Sequence, residues 1–307
     1  MCLRMGQRRI EKKEEVNMFG ENHAHIFMNA VNYKKAVKCH EQGVDEQIIR
    51  AHFQAYQDKG ITFVRDGGDY LHVSEKAREI AGEYGITYRT PLFAIHKNGH
   101  YGKIVGRDFD NMKEYASLVR TVKSMGGDFI KIMTTGIMDF DTDGSVTETA
   151  LCGQEVKEMV HIAHEEGLAV MSHTNGAEAV AAAVLAGADS IEHGNYVDED
   201  TLKLMAESEV VWVPTITVVK NIIGCGRFSD EVLNKIWDAG SKNIRMGYEL
   251  GVKIALGSDA GAYLVPHGQG LLDEWGCFRE ILGDKADLEK RLLEGEEIIR
   301  KKFKKRY

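Results

Sequence analysis

The stretch LAVMSHTNGAEAVAAAVLAGADSIEHG, residues 168–194, contains two short apolar runs that each lead into a histidine. The first run, 168–171, precedes His173, and the second, 189–191, precedes His193. Residues 177–186 lie between the two runs and have a helix-like pattern. A strand, a helix and a second strand in this order indicate a βαβ unit, in which the two strands are parallel.

The same alternation continues through most of the chain. Eight runs of strand-like composition precede turn signals, and they lie around 23–27 and at 61–64, 86–95, 128–133, 168–171, 189–191, 210–213 and 252–256. These runs are continuously apolar, which suits a parallel sheet that is buried on both faces. The pattern predicts an α/β fold, a single-domain (β/α)8 TIM barrel, and the 307 residues can hold a barrel of roughly 250 residues.

Helix-like segments separate the strand-like runs. Residues 45–59 have apolar positions at helical spacing behind Asp45, a good N-cap residue. The other predicted helices are 75–84, 110–125, 154–166, 177–186, 199–208, 230–250 and a charged helix at 286–303. We expect an N-terminal extension over 1–17, the barrel over 18–283 and a C-terminal helix packed on the barrel over 284–307.

Composition and charge narrow the class of protein. Hydrophobic residues make up 43% of the chain, which is enough for a large core, and the net charge of −8 argues against nucleic-acid binding. The basic tail 300–306 is explained as a solvated helix end. Five widely spaced cysteines indicate no disulfide framework, so we predict a cytoplasmic protein. We find no signal peptide and no apolar run near the ~20 residues of a membrane span.

Six polar residues stand at or near the ends of the predicted strands, where the catalytic face of such a barrel lies. His23 and His25 are two residues apart and therefore point to the same side of a strand. His173 and His193 end neighbouring strands, and Asp259 ends the eighth strand, which closes against the first. Any one of these histidines is most simply explained as a buried, hydrogen-bonded imidazole, but the ordered series predicts a centre with two metal ions.

Lys131 is the sixth residue and lies in the middle of the apolar run Phe129-Ile-Lys-Ile-Met133. An unpaired buried charge is unfavourable by several kcal/mol, roughly. A salt bridge to a carboxylate on a neighbouring strand would relieve this penalty. So would reaction of the neutral amine with CO2, because the resulting carbamate could bridge two cations. Burial favours the neutral amine, and the histidine series favours the carbamate.

The chain resembles the amidohydrolase superfamily, and within it the imidazolonepropionase and Xaa-Pro dipeptidase (prolidase)-like group. The stretches that carry this resemblance are HAH (23–25), GITFVRDGG (60–68), DFIKIMTTG (128–136), SHTNGAEAV (172–180), AGADSIEHGNYVDEDTLKLM (186–205), VPT (213–215) and ALGSDAG (255–261). They span residues 23 to 261. Together they are specific for the superfamily, less so for the subgroup, and only weakly indicative of a substrate.

The resemblance implies a role for each of these residues. His23 and His25 would hold the more buried metal, and His173 and His193 the more exposed one. Carboxylated Lys131 would bridge the two, and Asp259 would be both a ligand and the general base and acid. The substrate-binding candidates are His100, Tyr196 and Arg65, of which Arg65 is equally well explained as a structural charge facing Asp66 or Asp69.

The chain also departs from the family pattern. Family members usually carry a small β-sandwich domain built from both terminal segments, and we expect this chain to lack it because only 22 residues precede His23. The usual Pro-Gly-hydrophobic-Asp lead into the first histidine pair is replaced by Phe19-Gly20-Glu21-Asn22. This change affects how the first strand is held, but it removes no predicted ligand.

The sequence therefore predicts a metal-dependent hydrolase that cleaves an amide bond of a dipeptide or N-acyl amino acid. Two divalent cations, with Zn²⁺ expected, would activate a bridging hydroxide. The alternatives are a lactonase or organophosphate hydrolase on the same ligands, and a metal-binding barrel without activity. A deaminase fits less well, because such enzymes generally use one metal and no bridging lysine. The expected partner is a small-molecule substrate, with no nucleic acid and no membrane, and self-association into a homo-oligomer is compatible with the sequence.

Overall fold

The computed structural model describes residues 19–305. Its strands, all parallel within their sheets, are short. They are β1 (Glu21–Ala24), β2 (Phe63–Asp66), β3 (Thr87–Arg89), β4 (Ala94–Lys97), β5 (Gly106–Phe109), β6 (Ile130–Met133), β7 (Val170–Thr174), β8 (Ser190–His193), β9 (Val211–Val213) and β10 (Lys253–Ile254). The predicted extension over 1–17 lies outside the described residues.

The strands form a closed barrel with eight positions. The order β10-β9-β8-β7-β6-β4 covers six of them, and β1-β2-β3 covers the rest, with β3 and β4 sharing the third position. The strand breaks between them at Pro91 and Leu92, where Leu92 has a φ of 70°. Backbone bonds from Asn22 N to Leu256 O (3.2 Å) and from Asp259 N to His23 O (2.8 Å) join the eighth position to the first. The predicted (β/α)8 barrel is thus confirmed.

The helices surround the barrel. They are α1 (Tyr33–His40), α2 (Glu46–Asp58), α3 (Val73–Ile80), α4 (Met112–Ser124), α5 (Gly153–Glu165), α6 (Ala177–Ala186), α7 (Glu199–Glu207), α8 (Thr217–Lys220), α9 (Asp230–Leu250), α10 (Gln269–Leu282) and α11 (Leu288–Lys302), with a 3₁₀ turn at Ala81–Tyr84. No helix within residues 19–305 is both long and apolar enough to cross a membrane.

Four elements of the fold were not anticipated from the pattern. Strand β5 pairs with the outer edge of β4 and lies outside the eight barrel positions. Helices α1 and α8 are short, and α10 begins after Gly268 without a side-chain N-cap. Glycines at 270 and 276 further weaken its helix signal. Helix α10 forms because its buried face packs on the core through residues such as Leu271 and Phe278.

Helix α11 closes the barrel near the amino ends of the strands. Its residues Ile299 and Phe303 are fully buried against inward-facing side chains of the strands, among them Phe63, Phe129 and Val211. The rings of Phe303 and Phe129 meet edge to face at 5.3 Å. The described part of the predicted C-terminal segment therefore acts as an apolar plug beneath the site.

The close approach of α11 to the barrel requires glycine at position 295. A Cβ at Gly295 would lie 2.1 Å from the carbonyl oxygen of Ile254, whereas a Cβ at Gly276 in α10 would meet no atom within 4 Å. We expect Gly295→Ala to lower the free energy of unfolding by about 1–3 kcal/mol, because the helix must move off the barrel.

The matched variant Gly276→Ala should be neutral or should stabilise by about 0.5–1 kcal/mol, since alanine is the better helix former. Denaturant unfolding of both variants and the parent chain tests this. Equal midpoints for the two variants would show that α11 is not held in this register.

Candidate metal centre

The six predicted ligands meet at the carboxyl end of the barrel. His23 and Lys131 lie within β1 and β6, and His173 and His193 lie in β7 and β8. His25 directly follows β1, and Asp259 lies five residues beyond the end of β10. Nε2 of His23 and Nε2 of His25 each lie 3.5 Å from Oδ1 of Asp259. The ring of His193 is 4.6 Å from that of His173 and 5.0 Å from that of His23, measured between centroids.

Two of these residues have a backbone conformation that L-amino acids rarely adopt. His193 has a φ of 66° and Asp259 a φ of 60°. Such residues cost about 1–3 kcal/mol each and persist where the surrounding structure holds them. Here the Asp259 amide donates to the carbonyl of His23, and Gly194 N donates to the carbonyl of Glu192. The strain bends the chain at the end of each strand and directs both side chains towards the barrel axis.

Three buried polar atoms at the centre lack a hydrogen-bond partner among residues 19–305. They are Nε2 of His23, Nδ1 of His25 and Nζ of Lys131. A buried polar group without a partner costs about 1–3 kcal/mol, so such a cluster requires explanation. Ligand atoms of His23, His193 and Asp259 also lie within 4.8 Å of one another. Imidazole nitrogens and carboxylate oxygens are ligands that zinc accepts, and the residues therefore fit a metal site.

Hydrogen bonds orient the imidazole rings. Nδ1 of His193 lies 2.7 Å from Oγ1 of Thr215, and Nε2 of His173 lies 3.1 Å from the carbonyl oxygen of Gly136. Nδ1 of His23 lies 2.8 Å from Oε2 of Glu192. In each of these three rings one nitrogen is held by the protein and the other is left for a ligand, as in metal-binding histidines generally.

Burial keeps the imidazoles neutral, which is the form that binds metals. It lowers the pKa of His25 and of His173 to about 3, and Lys131 adds to the effect. It also lowers the pKa of His23 and of His193 well below the ordinary value of an imidazole. Burial also lowers the pKa of the Lys131 amine, against the opposing effect of Glu192 and Asp259. The pKa of Asp259 is raised by burial, and the Lys131 charge opposes that rise.

Arg65 is not placed where a substrate could contact it. Its side chain is fully buried inside the barrel, where Nη2 contacts both oxygens of Glu192 at 2.9 and 3.1 Å. The structural explanation of Arg65 is therefore the better one, although its partner is Glu192 and not Asp66 or Asp69. Those two carboxylates instead share the hydroxyl of Ser74.

The other two substrate-binding candidates lie in loops beyond the strands. His100 is partly exposed, and its Nδ1 is 4.0 Å from Oε2 of Glu148. Tyr196 has a φ of 60° and lies beside the loop after β6, whose Asp143 raises its pKa together with burial. No contact described here joins either residue to the six ligands, and their substrate roles stay predictions.

Sequence reasoning missed three residues of the site. Glu192 contacts His23, Thr215 contacts His193, and the ring of Tyr101 packs on that of His173 at 5.2 Å between centroids. A signal existed for two of them, because Glu192 directly precedes His193 and Thr215 ends the VPT stretch. Tyr101 is adjacent to His100, but nothing in its own sequence context marks it.

Known proteins share parts of this sequence. The sequence profile of the Amidohydrolase family matches residues 19–289. Ochratoxinase from Aspergillus niger is 29% identical over 189 residues, which is 60% of this chain and 38% of that protein. An uncharacterised protein of Mycobacterium tuberculosis is 30% identical over 132 residues, which is 41% of this chain and 35% of its own length. The matched segments thus span little more than a third of these relatives.

Solved structures share the barrel. A Xaa-Pro dipeptidase with methionine bound in its active site superposes with a TM-score of 0.70 at 24% identity, covering 92% of this chain and 75% of that one. Aspergillus niger ochratoxinase superposes with a TM-score of 0.69 at 20% identity, covering 89% and 69% of the two chains. At these identities the likeness establishes the fold.

The packing of His25 on the loop after β2 allows a test of the site. A Cβ at Gly67 would lie 2.3 Å from Cε1 of His25, whereas a Cβ at Gly82 would meet nothing within 4 Å. We expect Gly67→Ala to displace the His25 ring and to weaken metal binding about tenfold or more. Gly82→Ala should bind like the parent chain. Zinc titration of metal-free protein measures both, and an unchanged affinity in Gly67→Ala would remove His25 from the ligand set.

Proposed function

The chain belongs to the amidohydrolase family, and on that premise we propose that it is a binuclear metal-dependent hydrolase that cleaves an amide bond. The observation that carries the proposal is a pair of buried atoms without partners among the described residues, Nε2 of His23 and Nζ of Lys131. Both lie among neutral imidazoles at the carboxyl end of the barrel, where Nε2 of His25 also faces Asp259 at 3.5 Å, and two bound cations would satisfy that arrangement.

The proposed ligands divide into two sets. His23 and His25 would hold one cation, and His173 and His193 would hold the other. The amine nitrogen of Lys131 would attack CO2, which forms a C–N bond, releases a proton and leaves an anionic carbamate whose two oxygens the cations could share. The position of Lys131 supports this role, because it is fully buried and no described residue accepts a hydrogen bond from its amine.

Different residues of the chain would carry out different parts of the hydrolysis. The cations, with zinc proposed, would supply a water of lowered pKa and polarise the scissile carbonyl. Asp259, 3.5 Å from both His23 and His25, takes the proton from the attacking water and passes it to the leaving amine. Tyr101 covers one side of His173, and the apolar plug of α11 keeps water from entering through the other end of the barrel.

The proposed substrate is a dipeptide or an N-acyl amino acid. Support comes from the relatives, since one similar structure is a Xaa-Pro dipeptidase and another similar protein is an ochratoxinase. His100 and Tyr196 are the proposed contacts to the substrate in the loops around the mouth. No observation favours lactone or organophosphate hydrolysis, and both serve as alternatives in the tests.

Metal analysis tests the bridging role of Lys131. We expect about two equivalents of divalent metal per chain, and reconstitution of metal-free protein should be faster with bicarbonate, because the carbamate carbon comes from CO2. Lys131→Ala should lose at least one equivalent and should not respond to bicarbonate. The exposed Lys103 serves as the matched control, so Lys103→Ala should behave like the parent chain. Two retained equivalents in Lys131→Ala would exclude the bridge.

A substrate panel tests the reaction. We expect turnover of dipeptides or N-acyl amino acids and little turnover of lactones and organophosphate esters. Asp259→Asn should lower kcat by about 10²–10⁴-fold, the usual contribution of general acid–base catalysis. Turnover of the esters alone would assign one of the alternative reactions, and full metal content with no turnover of any class would indicate a binding protein.

A further inference from the structure

We propose that Glu192 and Arg65 are positioning residues that hold His23 in one tautomer, with the proton on Nδ1, so that Nε2 carries the free lone pair. Neither residue would touch the substrate. The significance of the lone pair rests on the proposed function, in which Nε2 of His23 is a metal ligand. The tautomer itself can be measured without metal, and the two proposals can therefore fail separately.

Glu192 is fully buried and surrounded by donors. Its Oε2 lies 2.8 Å from Nδ1 of His23 and 3.1 Å from Nη2 of Arg65. Its Oε1 accepts from Nη2 of Arg65 at 2.9 Å and from the Ser190 hydroxyl at 2.5 Å. These contacts connect β8 to β1 and β2 across the inside of the barrel.

Arg65 is equally well enclosed, and each guanidinium nitrogen has a partner. Nε donates to the carbonyl of Asn22 at 2.7 Å, Nη1 to the Ser190 hydroxyl at 2.9 Å, and Nη2 to Glu192. The ring of Phe303 covers the guanidinium, with 4.5 Å between Cζ and the ring centroid. Arg65, Glu192 and Phe303 are all fully buried, so bulk solvent does not reach the pair.

These contacts decide which nitrogen of His23 carries its proton. Arginine stays protonated in proteins and can only donate, so Glu192 faces Arg65 as an acceptor. An ionised carboxylate has no proton to give, and Nδ1 of His23 must therefore be the donor in the 2.8 Å contact. The remaining nitrogen, Nε2, then has a lone pair, and it points towards Oδ1 of Asp259 at 3.5 Å.

The positive charge of Arg65 also balances the negative charge of Glu192, and this allows the carboxylate to be buried beside His23. A lone buried carboxylate is strongly disfavoured, whereas a paired and hydrogen-bonded one is tolerated. Because the pair is neutral as a whole, it orients His23 without adding net charge beneath the centre. A purely structural ion pair would need no contact with His23, and the contact to Nδ1 is what points to positioning.

The decisive variant is Glu192→Gln, because it keeps the shape and inverts the hydrogen bond. Arg65 should take the amide oxygen, which turns the amide NH₂ towards Nδ1 of His23. His23 should then move its proton to Nε2, where it blocks the ligand position. Ring ¹⁵N NMR of metal-free protein reports the tautomer, and the signal of His23 is assigned by its loss in His23→Ala.

We expect the parent chain to show the Nδ1-protonated form and Glu192→Gln to show the Nε2-protonated form, with zinc affinity lowered about 10–100-fold. The matched control is Glu274→Gln, at a second fully buried carboxylate. Glu274 accepts from the amides of Ile216 and Thr217 and touches no proposed ligand. This control should lower the melting temperature and leave both the His23 tautomer and zinc affinity unchanged.

A double variant covers the case in which Glu192→Gln does not fold. Arg65→Met with Glu192→Leu removes both charges together, and we expect mixed tautomers at His23 and the same loss of zinc affinity. An Nδ1-protonated His23 in either variant, or an Nε2-protonated His23 in the parent chain, overturns the proposal. A second outcome is that the tautomer changes as expected but zinc affinity is the same in every variant, including His23→Ala. In that case Glu192 and Arg65 do set the tautomer of His23, but His23 is not a metal ligand.

Discussion

Ionisable side chains inside the closed barrel are buried from bulk solvent, and each therefore depends on another group of the protein or on a bound ion. The charge of Arg65 is satisfied by Glu192, Ser190 and the carbonyl of Asn22. The amine of Lys131, also inside the barrel, has no partner among the described residues. The same physical rule thus separates an ion pair that is complete as protein from an amine that is left for a metal site.

The two ends of the barrel differ in polarity, and burial from solvent explains this difference too. At the amino ends of the strands, Phe303 and Ile299 from α11 fill the interior and keep the Arg65–Glu192 pair dry. At the carboxyl ends, the chain turns sharply at His193 and Asp259 and presents polar atoms. Stability is concentrated at the closed end, and the strained residues at the open end are held by their neighbours' backbone groups, a division that is general in barrels of this kind.

Much of the barrel could be predicted because each strand is a short apolar run bounded by a turn signal. The prediction failed where tertiary contacts outweigh local preference. Helix α10 has internal glycines and no side-chain cap, but its buried face packs on the core. Strand β5 contains charged Arg107 and Asp108, which an edge strand can carry on its solvent side. The partner of Arg65 was missed because Glu192 is distant in sequence and adjacent only across the barrel.

The sequence by itself determined the eight strand positions, the placing of His23, His25, His173, His193 and Asp259 at or near their ends, and the placing of Lys131 inside a strand, because these follow from local spacing and composition. Only the tertiary structure decided which of the polar residues are satisfied. Hydrogen bonding and burial depend on neighbours that are far apart in the chain, such as Glu192 with His23 and Phe303 with Arg65. Closing the barrel brings these groups together, and it therefore determines which atoms remain for a metal.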